Sequence, residues 1–316
     1  MRYDQKDQES GNVEDRRGQG GGGMGGFPFP MGGGGGMSLT TMLIVGALML
    51  LFGFNPLDLL KGGGPGVPNM PQMPRMDPRT GEGGGVNIPG LPGGGQRSQV
   101  PAAQDDMKVF VSRVLKDTED VWERVFQSFG RKYTKPPLVI FSGATRTACG
   151  VGQSAMGPFY CPADQKIYVD LVFYDELKRR FQAPGDFAQA YVIAHEVGHH
   201  VQTLLGIADR VQEMKSRVGQ REQNQIQVRM ELQADCLAGV WAALNHQMKN
   251  RIEQGDIEEG LNAAAQIGDD MIQKKTQGRV VPDAFTHGSS AQRVKWFRQG
   301  MSTGQIQSCD AFSSNE

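Results

Sequence analysis

Hydrophobic residues recur at helical spacing along most of the chain after residue 104. This pattern predicts six helices, over residues 105–129, 186–205, 207–218, 223–245, 256–274 and 290–299. Two short apolar or alternating runs, at residues 138–141 and 166–171, predict strands instead. The expected fold class is therefore α+β, mainly helical, with a small sheet.

The first 104 residues have a different composition. They carry 27 of the 44 glycines and 11 of the 17 prolines. Such a segment buries too little apolar area to offset the conformational entropy lost on folding. We therefore predict a disordered N-terminal segment at residues 1–36, a Gly/Pro-rich linker at residues 57–104, and one folded domain at residues 105–316.

One stretch inside this region is apolar. Residues 37–54 contain no charge, and their 18 residues are near the short end of what a helix needs to span a bilayer. A buried core helix fits less well, because the Gly-rich flanks offer no core to join. A cleaved signal peptide begins earlier and has an Ala-x-Ala site. We predict a transmembrane helix at residues 37–56, with lysines and arginines weakly favouring a cytoplasmic N-terminus.

The helix predicted over residues 186–205 contains the pattern His-Glu-x-x-His. His195 and His199 are four residues apart, so they lie on one face of the helix, where two imidazoles can bind one Zn²⁺. Glu196 lies one step around the helix, where its carboxylate can act as a general base. The neighbouring residues are apolar, which predicts a buried helix. A metal explains why two histidines and a glutamate are placed there.

A third ligand distinguishes a zinc site from a chance match. In the class of zinc sites whose third ligand is also a histidine, the motif continues with Gly at position 202 and His at position 205. This chain has Gln202 and Leu205 instead. The other solution uses a carboxylate from a later helix. Glu231 and Asp235 are four residues apart on such a helix. We predict that Glu231 is the third ligand and that Asp235 accepts the free ring N–H of a ligand histidine.

Several stretches, taken together, match the pattern of one family. The main ones are Ala-His-Glu-Val-Gly-His-His-Val-Gln at 194–202 and Glu-Leu-Gln-Ala-Asp-Cys-Leu-Ala-Gly-Val-Trp at 231–241; residues 12–17, 157–166 and 286–293 agree as well. In these stretches the chain resembles a bacterial family of neutral zinc metallopeptidases. The resemblance implies a zincin fold with a glutamate as third ligand, and a membrane-anchored protein.

Other polar residues are candidates for supporting roles. Peptide hydrolysis needs a donor to the developing oxyanion. We predict His287, in the loop before the last helix, for this role, with helix capping or packing as the alternative and Tyr191 as a second candidate. Arg293 is a candidate for a salt bridge near the site. We expect His200 to be structural and His246 to be exposed.

The four cysteines form no Cys-x-x-Cys pair, which argues against a second zinc site. Of three possible pairings we favour Cys149–Cys161, which closes a local loop, together with Cys236–Cys309, which would tie the C-terminus to the helix of Glu231. Disulfides indicate an oxidising compartment, so we expect an extracytoplasmic domain, periplasmic or extracellular. Four buried thiols in a cytosolic domain are the alternative.

These patterns predict a single-pass, membrane-anchored zinc metalloendopeptidase that acts on a peptide or protein substrate. It would hold one Zn²⁺ per chain and use Glu196 as general base. The predicted strand at residues 166–171 would form the edge of the substrate cleft, along which an extended peptide could pair. The alternative is a non-catalytic or latent membrane-tethered zinc scaffold, but structural zinc needs no general base. The net charge of −1 gives no support to nucleic-acid binding. No substrate or oligomeric state follows from these patterns.

Overall fold

Helices make up most of the folded chain. The computed structural model describes residues 1–18 and 102–313. Eight helices lie in these ranges: α1 (Ala102–Ser128), α2 (Val172–Arg179), α3 (Asp186–Leu204), α4 (Ile207–Ser216), α5 (Gln220–Lys249), α6 (Asp256–Gln266), α7 (Asp269–Gln277) and α8 (Ser290–Thr303). Six strands accompany them: β1 (Val13–Asp15), β2 (Leu138–Phe141), β3 (Ala144–Thr147), β4 (Gly150–Gln153), β5 (Phe159–Cys161) and β6 (Lys166–Asp170). The mainly helical fold with small sheets is thus confirmed.

The sheet places a short strand beside the helix that carries the histidines. Its order is β1-β2-β6-β5, with β1, β2 and β6 parallel and β5 antiparallel to β6. The strand predicted as the cleft edge, residues 166–171, corresponds to β6, which has β2 on one side and β5 on the other. That prediction is wrong for residues 166–168, where β6 is flanked by β2 on one side and paired with β5 on the other. The edge that lies against α3 is β5.

Residues 1–18 belong to the folded domain. Strand β1 pairs in parallel with β2, so that Val13 lies opposite Leu138. Ser10 and Asn12 donate side-chain hydrogen bonds of 2.6 and 2.7 Å to Glu119, which is buried. The prediction that residues 1–36 are disordered is therefore wrong for residues 1–18, because main-chain pairing and buried hydrogen bonds compensate for the ordering of this polar stretch.

The predicted transmembrane helix at residues 37–56 lies outside the described residues, as does the linker from residue 57 to residue 101. Within residues 1–18 and 102–313, no helix combines the length and the apolar character needed to cross a bilayer. The membrane anchor therefore stays a prediction.

The helix boundaries agree with the sequence pattern to within a few residues, with two exceptions. Residues 256–274 form two helices, α6 and α7, because Gly268 adopts an extended conformation between them. A Cβ at Gly268 would lie 2.4 Å from the backbone nitrogen of Ser290. Helix α2 was not predicted. Asp186 is the first helical residue of α3, and Gly185 precedes it.

Small residues let three helices approach closely around α5. A Cβ at Gly198 of α3 would lie 3.0 Å from the carbonyl oxygen of Ala234, so the backbones of α3 and α5 are nearly in contact. A Cβ at Gly239 of α5 would lie 2.1 Å from the carbonyl oxygen of Phe297 in α8. Helix α5 thus lies against α3 at Ala234 and against α8 at Gly239.

Both predicted disulfides are present. Cys149–Cys161 ties the β3–β4 hairpin to β5, and Cys236–Cys309 ties α5 to the C-terminal segment. Gln233 of α5 also donates a 2.8 Å hydrogen bond to the carbonyl oxygen of Cys309. The C-terminal segment is therefore held next to the turn of α5 that carries Glu231 and Asp235.

Removal of the second disulfide should destabilise the domain. Cys236 and Cys309 are separated by 73 residues, so their link restricts a long loop in the unfolded chain. We expect the Cys236→Ala/Cys309→Ala variant to lose about 2–5 kcal/mol in the free energy of unfolding. Urea unfolding of the oxidised wild type and the variant measures this loss. Equal midpoints and slopes would contradict the expectation.

Candidate metal centre

Helices α3 and α5 bring three ligand atoms to one point. Nε2 of His195 and Nε2 of His199 lie 3.2 and 3.3 Å from Oε2 of Glu231. The four-residue spacing stacks the two imidazoles along one face of α3, and the close approach of Gly198 to Ala234 brings α5 within reach. The three residues form a group whose ligand atoms all lie within 4.8 Å of one another.

A buried ion pair orients His195. Oδ1 of Asp235 lies 2.8 Å from Nδ1 of His195 and accepts its ring N–H, which leaves Nε2 free to face Glu231. Arg293 of α8 binds both oxygens of Asp235, at 2.8 Å from Nε and 2.9 Å from Nη2. Asp235 is 0% exposed and Arg293 is 3% exposed. The salt bridge considered for Arg293 therefore exists, and it acts on His195 through Asp235.

His199 is oriented by an amide. Its Nδ1 lies 2.9 Å from Oε1 of Gln202, which is itself held by a 2.7 Å hydrogen bond from Nε2 to the carbonyl oxygen of Met230 in α5. Each histidine thus has one nitrogen hydrogen-bonded to the protein and the other directed at Glu231. Such outer partners determine the tautomer and the ring orientation of metal-binding histidines.

The electrostatics of the cluster match a cation site. Burial opposes protonation of His199, but the charge of Glu231 outweighs it and raises the pKa of His199 to about 9. Burial opposes ionisation of Glu231, but the charge of His199 and hydrogen bonds from His195 and His199 hold its pKa well below the usual range. Burial also opposes ionisation of Asp235, yet Arg293 lowers its pKa to about 2. Without a metal the histidines keep protons near Glu231, so zinc binding should release protons and weaken at acidic pH.

These residues fit a zinc ion. Two imidazole nitrogens and one carboxylate oxygen form the ligand set used by many catalytic zinc sites, with room left for a fourth ligand. Asp235 on His195 supplies the carboxylate–histidine pairing that such sites use. The donor set, the buried position and the hydrogen-bonded second nitrogens all agree with a resident Zn²⁺.

Glu196 is a buried carboxylate beside this cluster. It follows His195 on α3, and it is 8% exposed. Burial raises the pKa of Glu196, and the nearby positive charge of the histidines opposes this shift. A carboxylate with a raised pKa is suited to accept and return a proton near neutral pH.

His287 lies in the loop before α8 and is oriented by a residue that the sequence pattern did not reveal. Asp269, the first residue of α7, places Oδ1 at 3.2 Å from Nδ1 of His287. Its Oδ2 accepts the backbone N–H groups of residues 286, 287 and 288. The loop packs on α5 near Leu232, and the charge of His287 contributes to the lowered pKa of Glu231.

Family comparison covers nearly the whole chain. The family model described as "Putative neutral zinc metallopeptidase" matches residues 1–87 and 90–312. The chain belongs to this family. The match includes residues 1–18, in agreement with their place in the folded domain.

Similar chains occur in distant bacteria. The uncharacterized protein YpfJ of Escherichia coli strain K12 is 51% identical over 239 residues, which cover 73% of this chain and 82% of YpfJ. The uncharacterized protein Rv2575 of Mycobacterium tuberculosis strain H37Rv is 45% identical over 192 residues, covering 58% of this chain and 64% of the relative. No solved structure matches the chain. Membership of the metallopeptidase family agrees with the ligand set formed by α3 and α5.

Three further residues considered in the sequence analysis, Tyr191, His200 and His246, form hydrogen bonds with other groups of the protein. The hydroxyl of Tyr191 is bound by Asp235 and Arg293 and is fully buried, so it is not available to a substrate. His200 is structural, as predicted, since its Nδ1 contacts the Tyr160 hydroxyl and its Nε2 the Thr134 carbonyl. The prediction that His246 is exposed is wrong. Its ring is partly buried and accepts a hydrogen bond from the backbone of Ile252, just after α5.

Proposed function

We propose that this chain is a zinc-dependent endopeptidase of the zincin type, with one Zn²⁺ held by His195, His199 and Glu231. The observation that carries the proposal is the convergence of these three ligand atoms next to the buried carboxylate of Glu196. A purely structural zinc would not need this carboxylate. The edge strand β5, antiparallel to its neighbour and lying against α3, supports the zincin assignment.

In this reaction zinc, when bound, supplies Lewis-acid catalysis to water and to the peptide carbonyl. Glu196 accepts the proton of the attacking water and then donates it to the leaving amine. His287 donates a hydrogen bond from Nε2 to the developing oxyanion, while Asp269 holds its Nδ1. The outer edge of β5 offers main-chain groups with which an extended peptide can pair as an added strand.

The direct test uses the zinc-loaded protein and a library of unstructured peptides. Mass spectrometry should find internal cleavage products that disappear after removal of zinc by a chelator and return when zinc is restored. Metal analysis should find about one zinc ion per chain. A protein that holds this zinc but cleaves no peptide in the library would overturn the proposal and favour the zinc scaffold.

The His287–Asp269 pair predicts a shift in the pH profile. With Nδ1–H facing Asp269, Nε2 carries a hydrogen only when the ring is protonated. Burial lowers the pKa of His287, but the hydrogen bond and charge of Asp269 outweigh this effect and raise it. We therefore expect the alkaline limb of the kcat/KM profile to move to lower pH in the Asp269→Asn variant. In the His287→Ala variant, which lacks the proposed oxyanion donor, kcat/KM should fall about 10²- to 10³-fold. Asp283→Asn, an exposed residue outside this pair, serves as control.

If His287 is only a packing residue, its substitution should lower the unfolding midpoint and leave kcat/KM at neutral pH unchanged. An alkaline limb that stays in place in Asp269→Asn would contradict the proposed link between the two residues.

We also propose an extracytoplasmic location, supported by two disulfides in the described domain. Because strands β1 and β2 pair directly, we propose that residues 1–18 and 102–313 lie on the same side of any membrane. A segment that crossed the bilayer once between them would place β1 and β2 on opposite sides, where they could not pair. The pairing of β1 with β2 thus supports a same-side arrangement of the two described segments in place of the predicted single crossing.

Labelling in intact cells checks this topology. Single cysteines introduced at Gln8 and Lys132, both exposed, should react equally with a membrane-impermeant maleimide. Lysed cells provide the control for full reactivity of each site. Reaction at position 132 with protection at position 8 would contradict the same-side arrangement and restore the single crossing.

A further inference from the structure

A cavity of about 410 Å³ opens beside the metal centre. His199 and Glu231 form part of its wall, and Lys215 of α4 contributes another part. Tyr160 of the edge strand β5 lines it too, so the cavity is continuous with the edge along which a peptide is proposed to pair. A side chain next to the scissile bond would therefore extend into this space.

Lys215 is connected to the metal centre by two hydrogen bonds. Its Nζ donates to Oε1 of Gln227 at 2.9 Å, and Nε2 of Gln227 donates to Oε1 of Glu231 at 2.8 Å. An ammonium group has three donors, and Gln227 uses one of them. Among the described residues, no carboxylate oxygen lies within 4.0 Å of this ammonium. Lys215 thus keeps hydrogen-bonding capacity toward the cavity.

The charge of Lys215 lacks a dedicated counterion. Lys215 is partly buried, and the negative charge that compensates it is that of Glu231, which a bound metal would use. Asp209, the other acidic residue of the wall, is exposed in the first turn of α4 and forms no ion pair with Lys215. A partly desolvated cation without an ion-pair partner favours an anionic group in the cavity.

We propose that this cavity is a substrate subsite in which Lys215 binds a carboxylate of the peptide on one side of the scissile bond. The inference rests on the proposed peptidase function. The carboxylate belongs either to an aspartate or glutamate side chain or to the C-terminus of the peptide, and both present the same chemistry to Lys215.

The test begins from the peptides that the zinc-loaded wild type cleaves. Each is resynthesised with Glu, Gln or Lys at the positions flanking the cleaved bond, and with a free or an amidated C-terminus. We expect kcat/KM to favour Glu over Gln by about tenfold or more at one position, as for a hydrogen bond to a charged group. The preference should disappear in Lys215→Met and change toward Lys in Lys215→Glu. Lys132→Met, an exposed lysine outside the cavity, is the matched control.

Binding provides a second measurement that does not depend on turnover. Fluorescent Glu and Gln peptides are titrated against zinc-loaded Glu196→Gln, with and without Lys215→Met. The expected result is a roughly tenfold lower Kd for the Glu peptide, lost when Lys215 is replaced. A preference that persists after C-terminal amidation identifies a side-chain carboxylate, and one that requires the free C-terminus identifies the terminal group.

The outcomes separate the two proposals. If the zinc-loaded wild type cleaves no peptide, the peptidase function fails and the subsite fails with it. If it cleaves peptides without preferring a carboxylate, or if the preference survives Lys215→Met, only the subsite is overturned.

Discussion

Replacing Glu196 by Gln is expected to lower kcat/KM for peptide cleavage by roughly 10²- to 10⁴-fold. Glutamine has the size of glutamate, but its amide cannot accept a proton from water. Glu196 is not one of the three residues whose ligand atoms converge, so zinc binding should persist. The variant therefore separates loss of proton transfer from loss of metal.

Two measurements check this prediction. Steady-state cleavage of one library-derived peptide gives the change in kcat/KM, and metal analysis gives the zinc content of each protein. Glu258→Gln, an exposed glutamate on α6, is the matched control and should behave as wild type. Equal activity of zinc-loaded wild type and Glu196→Gln would contradict the role of general base.

Replacing Asp235 by Asn is expected to destabilise the domain and to weaken zinc binding. The change leaves Arg293 as a buried positive charge without a counterion, which costs about 3–5 kcal/mol in the free energy of unfolding. It also removes the acceptor that orients His195, which should lower zinc affinity about 10- to 100-fold. Urea unfolding of the zinc-free proteins and competition with a chelator measure the two effects separately.

A second buried ion pair supplies the control. Asp117, 1% exposed, binds Arg251 and Lys249 at 3.0 and 2.6 Å, in contacts that involve none of the proposed ligands. Asp117→Asn should leave zinc affinity unchanged. It should reduce stability by less than Asp235→Asn, because Arg251 keeps Asp7 and Lys249 keeps Asp120 as partners. If Asp235→Asn and Asp117→Asn changed zinc affinity equally, a specific effect on His195 would be ruled out.

The stability contributed by Asp235 has a defined pH dependence. Its pKa in the folded protein is about 2, below the ordinary value of 3.8. The unfolded chain therefore binds more protons than the folded protein between these values, so stability falls as the pH decreases through them. The contribution is fully present above the ordinary carboxylate range. The Asp235→Asn variant should lack this part of the acid sensitivity.

The residues of the candidate metal site could be predicted because their arrangement depends on local geometry. His195 and His199 share a face of any helix, and so do Glu231 and Asp235 on the later one. Exclusion of a third histidine, by Gln202 and Leu205, left the later helix as the source of the third ligand. The structure brings His195, His199 and Glu231 together as this reasoning required.

Residues that act through a distant partner could not be predicted in the same way. Asp269 orients His287 across 18 positions, and its own surroundings in the sequence resemble an ordinary helix start. Tyr191 has the helical position of a possible oxyanion donor, but contacts with Asp235 and Arg293 bury its hydroxyl. Such roles depend on which helices pack together, and no local spacing encodes that.

The sequence by itself indicated most of the helices, the His-Glu-x-x-His motif, the carboxylate that joins it and the favoured disulfide pairing, because periodicity, residue chemistry and spacing carry this information. Only the tertiary structure decided the place of residues 1–18, the identity of the edge strand next to α3 and the partners of His287 and Arg293. A three-residue strand such as β1 has little stability of its own and forms through pairing with β2, far along the chain. That pairing also supports the proposal that residues 1–18 and 102–313 lie on one side of any membrane, whereas hydropathy had predicted a single crossing.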